Sequence, residues 1–301
     1  MQQLSYATIA GLVQAAEKAG VPLSHLVLAD QAQQLERTPQ SLWEQMDQSL
    51  AVMEESAQMG MRPDIRSTSG LTGGDAARMQ AYAKGGSPLA GGPFARAVAR
   101  ALAVSEYNAA MGRIVAAPTA GSCGILPAAV LTMLQDRGAS REACIYSLFT
   151  AAAVGMVIAQ NACIAGAQGG CQAECGSAAA MAAAALVELA GGTPDQCAQA
   201  VAIALKNVLG LVCDPVAGLV EIPCIKRNAS GVAGAFTAAD MALAGIKSAI
   251  PADEVILAMK WVGDAMPAAL RETAEGGLAA TPTGRRLHRQ VFGDQPAGEM
   301  L

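Results

Sequence analysis

Eight cysteines punctuate this 301-residue chain, and their surroundings sort them by the chemistry each could do. Cys144, Cys163 and Cys197 sit inside alanine-rich helical patterns, where a thiol mostly serves as a small buried hydrophobe. Cys175, at the head of "GSAAAMAAAALVELA", reads as packing as well. Cys123, Cys171, Cys213 and Cys224 instead fall in stretches broken by glycine and proline: "APTAGSCGILP", "GAQGGCQAECGS" and "LVCDPVAGLVEIPCIKRNA". Pro215 biases Asp214 away from helix and Pro223 has no N–H to give, so the thiols at 213 and 224 are expected on extended or turned backbone. Sulfurs on loops can be aimed at one point from several directions, as thiolate ligation of a metal or cluster requires. The spacings match neither a ferredoxin run nor paired C-x-x-C zinc sites. Position alone therefore leaves packing, metal ligation and nucleophilic catalysis all open.

The elements that must position these thiols read as helices. Ser41 with Glu44 has the form of a capping box ahead of "LWEQMDQSLAVMEESAQMGM", with Gly60 as its stop. Thr193, Pro194 and Gln196 repeat the pattern before "PDQCAQAVAIALKNVL", and Ser140 is placed to cap the helix that enters a long apolar run. In "PFARAVARALAVSEYNAAMGR", Val98, Ala101, Leu102 and Tyr107 fall on roughly one side of a helix. No sustained period-2 alternation bounded by hairpin turns occurs anywhere. The expectation is an all-α fold: one compact multi-helix domain over residues 1–301, with glycine-rich loops between buried alanine-rich helices and a mobile tail over 286–301.

Composition narrows the class. Apolar residues make up 52% of the chain and aromatics only 3%, so the core must be built from small and aliphatic side chains packed at close range. A net charge of -5 without a basic run argues against nucleic acid as a partner. Residues 148–167, "LFTAAAVGMVIAQNACIAGA", carry no charge and approach a bilayer span in length. They lack interfacial aromatic or basic anchors and include Gln160 and Asn161, so a buried helix is the expected reading and no membrane partner is expected. The first residues have no secretory signal pattern, which points to the cytoplasm and to reduced cysteines. The two histidines, His25 and His288, have no recognisable catalytic neighbours and read as surface or packing residues.

Five ordered segments, "SGLTGGDA", "NAAMGRIVAAPTAGSCGILPAAV", "GAQGGCQAECGSAAAMAAAAL", "DPVAGLVEIPCIKRNA" and "LRETAEGGLAATPTG", together resemble the alpha chain of the two-subunit, iron-sulfur-dependent L-serine dehydratases. The resemblance runs from near residue 4 to about residue 287. It implies that Cys171, Cys213 and Cys224 hold a 4Fe-4S cluster, and that Cys123 occupies a slot that relatives can fill with alanine. It further implies an open iron acting as a Lewis acid on the hydroxyl and carboxylate of L-serine, with pyruvate and ammonia as products. Single-chain relatives carry an extra N-terminal domain with a "SSSHT"-like motif, so the resemblance implies a separate beta chain as partner and as a source of the general base. It also implies a place in amino-acid catabolism that feeds gluconeogenesis.

For substrate contacts, the turn at Thr119, Ala120, Gly121 and Ser122 is the first candidate, since a helix N-terminus there would suit a carboxylate. Ser67, Ser69 and Gly70 come second, and Lys226 and Arg227 rank lower, with ion pairing at a helix end as their alternative. Pyridoxal phosphate is not expected, because neither Lys206 nor Lys226 stands by a phosphate cup. Some relatives place a terminal cysteine at the vacant iron, but this chain ends "GDQPAGEML". Two other readings compete: an L-cysteine desulfidase of related fold, and a non-catalytic iron-sulfur redox or sensor protein, of which a zinc-binding structural domain is a lesser version.

Overall fold

The computed structural model describes residues 4–293, and within them thirteen α-helices and no named strand. The helices are α1 (Ile9–Ala19), α2 (Leu23–Gln34), α3 (Pro39–Gly60), α4 (Asp75–Gly85), α5 (Gly92–Ala109), α6 (Ile125–Asp136) and α7 (Arg141–Asn161). They continue with α8 (Gly166–Gly169), α9 (Ser177–Leu189), α10 (Pro194–Lys206), α11 (Cys224–Leu243), α12 (Ala252–Ala265) and α13 (Pro282–Phe292). The fold is all-α, as composition and periodicity require.

Helix α9 is the hub. Every residue from Ser177 to Val187 is buried, and α6, α7, α10 and α11 pack around it. Alanine at seven of those positions lets the neighbouring helices come close on all sides, which explains a core almost free of aromatics. The same logic holds at the crossing of α3 and α5, where a Cβ added to Gly60 would lie 1.8 Å from the carbonyl oxygen of Ala103. Helix α7 is the single helix among the described residues that is long and apolar enough to span a bilayer, yet 67% of its most apolar window is buried in the protein. It ends at Asn161, whose Nδ2 donates to the carbonyls of Val157 and Ala7, so the apolar run continues past 161 outside the helix.

The caps follow sequence chemistry with one shift. Thr193 and Gln196 form a reciprocal capping box on α10, and the Ser140 hydroxyl accepts from Ala143 N–H at 3.1 Å. Helix α3 begins earlier than the expected Ser41: Thr38 caps it, Pro39 takes the first turn, and Ser41 donates its hydroxyl back to the Thr38 carbonyl. Proline's fixed φ and missing N–H make the earlier start the cheaper one. At the C-terminal end, residues 286–292 of the expected tail lie in α13, which Thr281 caps, while 294–301 fall outside the described residues.

Candidate functional site

The site forms where four interruptions of the helical pattern meet. The first is a five-residue π-helical stretch, Gln172–Gly176, between α8 and α9. Gln172 anchors it from inside: the side-chain amide donates to the Met259 carbonyl at 2.9 Å and accepts from Gly210 N–H at 2.9 Å. The wider turn re-aims the residues it carries, a frequent use of π-bulges. Cys171 enters it and Cys175 lies within it, their sulfurs 3.5 Å apart.

Cys213 comes from the second interruption, where its N–H donates to the Leu270 carbonyl and its carbonyl accepts from Glu272 N–H, a lone parallel bridge with Arg271. Cys213 joins Cys171 through its thiol. Cys224 is not on extended or turned backbone. It is the first residue of α11, which begins immediately after Pro223, so proline here precedes the helix rather than blocking it. Cys171 is likewise helical rather than looped. Cys224 faces the Cys171 charge closely enough to feel it.

The electrostatics single out Cys171 as the thiolate of the group. Hydrogen bonds from the Cys175 and Cys213 thiols, and the guanidinium of Arg227, pull it down to about 3. The donors pay the complementary part: Cys175 and Cys213 are pushed up by bonding to that thiolate and by burial, and burial pushes Cys224 up to about 12. Arg227 is fixed by its own bonds, to the Val212 carbonyl and to Asp214 Oδ1, each at 2.8 Å. Its neighbour Lys226 points away and pairs with Asp75 at the surface. Of that adjacent pair, Arg227 alone serves the site.

The third and fourth interruptions supply polar walls. Thr119, Ala120, Gly121 and Ser122 form a single 3-10 turn ahead of α6, with Thr119 Oγ1 and Ser122 Oγ 3.1 Å apart. Buried Asn228, one turn into α11, ties this turn to the sulfurs: its Nδ2 donates to the carbonyls of Gly121 at 2.7 Å and Cys224 at 2.9 Å, and its Oδ1 accepts from Gly124 N–H at 2.8 Å. Ser67, Ser69 and Gly70 occupy another loop. Ser69 Oγ donates to Glu221 Oε2 at 3.0 Å, as does Thr72 Oγ1 at 2.8 Å, and Ser67 Oγ accepts from Thr72 N–H. These hydroxyls hold a buried carboxylate just upstream of Cys224.

Two residues make contacts that escaped the sequence reading. Cys175 packs in the core as its alanine-rich surroundings suggest, and its sulfur also stands against Cys171, a contact that the i,i+4 spacing permits. Glu174 is the second. Its part-buried carboxylate takes a hydrogen bond from Thr119, and a Cβ added at Gly121 would lie 3.2 Å from both its oxygens. One added at Gly166 would lie 2.7 Å from Glu174 Oε2 and 3.0 Å from Cys213 Sγ. Burial, with the Cys171 and Glu272 charges, lifts Glu174 to about 7. Glu272 is raised as well, by burial first and then by Cys171.

The remaining candidates have other partners. Cys123 is fully buried and pushed up to about 12 by burial, with Ser105 as its side-chain partner. His25 stacks on Tyr146 with ring centroids 4.4 Å apart, and His288 tilts against Phe292. Among the described residues, no three His, Cys, Asp or Glu side chains close around a single ion. A multi-iron cluster spreads its ligands around a body larger than one ion, and the sulfur-rich donor set, with a buried guanidinium to offset its negative charge, suits such a group.

Comparison with known proteins gives this site its context. Residues 18–279 match the family model described as serine dehydratase alpha chain. The chain is 54% identical over 282 residues to a probable L-serine dehydratase alpha chain of Bacillus subtilis strain 168, covering 94% of each chain. It is 45% identical over 281 residues to the L-serine dehydratase alpha chain of Peptoniphilus asaccharolyticus, covering 93% of this chain and 96% of the other. L-serine dehydratase 1 of Escherichia coli K12 is 48% identical over 182 residues, 60% of this chain and 40% of that longer protein. The chain belongs to the serine dehydratase alpha chain family, and with it to the lyase class of enzymes.

Proposed function

We propose that this chain is the catalytic subunit of an L-serine dehydratase, which releases water from L-serine to give pyruvate and ammonia, and that it works with a beta chain and a 4Fe-4S cluster. What supports the reading is the bonded Cys171 and Cys213 thiols, together with Cys224 at the head of α11 and its link through Asn228 to the Thr119–Ser122 turn, in a member of this family.

Cys171, Cys213 and Cys224 would hold the cluster, with Cys175 adjacent. When bound, the cluster supplies a Lewis-acidic iron that stabilises negative charge on the departing β-hydroxyl. Arg227 favours the Cys171 thiolate and Asp214 keeps Arg227 in place. Ala120 and Gly121 lie at the head of the 3-10 turn, where N–H groups have no partner within the turn, and they would receive the substrate carboxylate. Asn228 holds that turn at a fixed distance from the α11 terminus. The beta chain would bring the base for the α-proton, and the enzyme would act in the cytoplasm.

Anaerobic co-production with the beta chain, cluster reconstitution and an assay of L-serine tests the proposal. Equal amounts of pyruvate and ammonia are expected, with bound iron and sulfide. Sulfide release from L-cysteine far above serine turnover would point to a desulfidase instead. A chain that binds iron but turns over neither amino acid would be a redox or sensor protein.

A further inference from the structure

Two part-buried carboxyl groups, Glu174 and Glu272, stand beside the sulfurs, and each feels the Cys171 charge. Nine ion pairs occur among the described residues, and neither Glu174 nor Glu272 takes part in any of them. Arg227 is already committed to Asp214, the Val212 carbonyl and Cys171, and Arg271, bridged to Cys213 through its backbone, donates from Nη1 to the Gln168 carbonyl. Glu174 and Glu272, both part-exposed, therefore stand beside buried Cys171 with no ion-pair partner of their own.

Glu174 is also placed with unusual care. Its oxygens lie between Gly121, in the 3-10 turn, and Gly166, at the start of α8, and a methyl group at either glycine would intrude on the carboxylate. The Gly121 side belongs to the turn assigned above to the substrate carboxylate. In an α-amino acid the carboxylate and ammonium sit on the same carbon, so their receptors must be immediate neighbours. Glu174 is the carboxylate against that turn.

We infer that Glu174 binds the α-ammonium group of the amino acid substrate, with Glu272 adding long-range attraction. The inference rests on the dehydratase reading and deepens it: Glu174 selects amino acids over the corresponding hydroxy acids. Its missing ion-pair partner is the substrate.

The test uses the reconstituted enzyme with its beta chain and the Glu174→Gln variant, which removes the charge and keeps the shape. L-alanine lacks the β-hydroxyl that leaves, so its equilibrium binding reads recognition without turnover; L-lactate carries a hydroxyl where alanine carries ammonium. Loss of a charged hydrogen bond should weaken L-alanine binding and raise the L-serine KM by about 10- to 100-fold. L-lactate binding should stay within about twofold, since it makes no ammonium contact. Iron content should match the parent, and Glu174→Asp should recover part of the loss. Equal weakening of alanine and lactate, or no change in either, overturns the assignment. Failure of the parent enzyme to convert L-serine would sink the dehydratase reading instead, and the alanine and lactate pair would still decide the role of Glu174.

Discussion

Asn228 donates to the carbonyl of Gly121 at 2.7 Å and, through its other amide atom, accepts the N–H of Gly124 at 2.8 Å. One buried side chain on α11 thus closes a turn more than a hundred residues earlier in the chain and fixes it over the Cys224 end of the helix. Asn228→Ala leaves those buried groups unpartnered and should destabilise the metal-free, reduced chain by about 2 to 4 kcal/mol. Urea unfolding at constant m-value checks this. Activity should fall further than stability alone predicts, because the turn carries the proposed carboxylate seat.

Two glycines should separate packing from chemistry. Gly60→Ala drives a Cβ to 1.8 Å from the Ala103 carbonyl, a backbone atom that moves only if α3 and α5 part. The expected cost is about 3 kcal/mol or more, seen as a large fall in the denaturant midpoint. Gly121→Ala meets the Glu174 carboxylate at 3.2 Å, and that side chain can yield. Stability should change by less than about 1 kcal/mol. The L-serine KM should rise because the carboxylate is displaced, so a variant with lost stability and unchanged KM would contradict this geometry.

The sulfurs should divide in the same way. Serine at Cys171, Cys213 or Cys224 should each abolish iron retention after anaerobic reconstitution, measured as iron and acid-labile sulfide per chain. Alanine at Cys144 or Cys197, thiols buried in helices whose values burial pushes up, should leave iron content at the parental level. Cys175→Ser should retain iron; its loss would extend the ligand set to the sulfur 3.5 Å from Cys171.

Local signals made the helices legible, while the site depended on how those helices are interrupted. Thr193 and Ser140 were readable caps because their hydroxyls act within three residues. Ser41 misled because Thr38 and Pro39 offer the same chemistry one turn earlier, so Thr38→Ala should cost about 1 kcal/mol in thermal or urea unfolding and Ser41→Ala clearly less. Cys224 looked looped because Pro223 precedes it, yet a residue following proline is free to start a helix. Glu174 lies inside the segment "GAQGGCQAECGS", but its sequence neighbours do not mark its role. Its role depends on a π-turn held by Gln172 and on glycines at 121 and 166, contacts that only the tertiary structure brings together.

The Arg227 and Asp214 pair offers the sharpest energetic test. Arg227 Nη2 lies 2.8 Å from Asp214 Oδ1, the side chains are 15% and 5% exposed, and Asp214 Oδ2 accepts from Leu278 N–H at 2.8 Å. Arg227→Met strands a buried carboxylate, and Asp214→Asn turns an amide N–H toward one of two donors. Each single change should destabilise the reduced, metal-free chain by about 3 kcal/mol. Their combination should cost less than the two together, with a coupling of at least about 1 kcal/mol in a double-mutant cycle. Arg227→Lys keeps the charge but not the fork that reaches Val212 and Asp214 at once, so it should retain part of the stability while losing iron more readily than the parent. Strict additivity in the cycle would mean that the guanidinium answers to the sulfurs and not to Asp214.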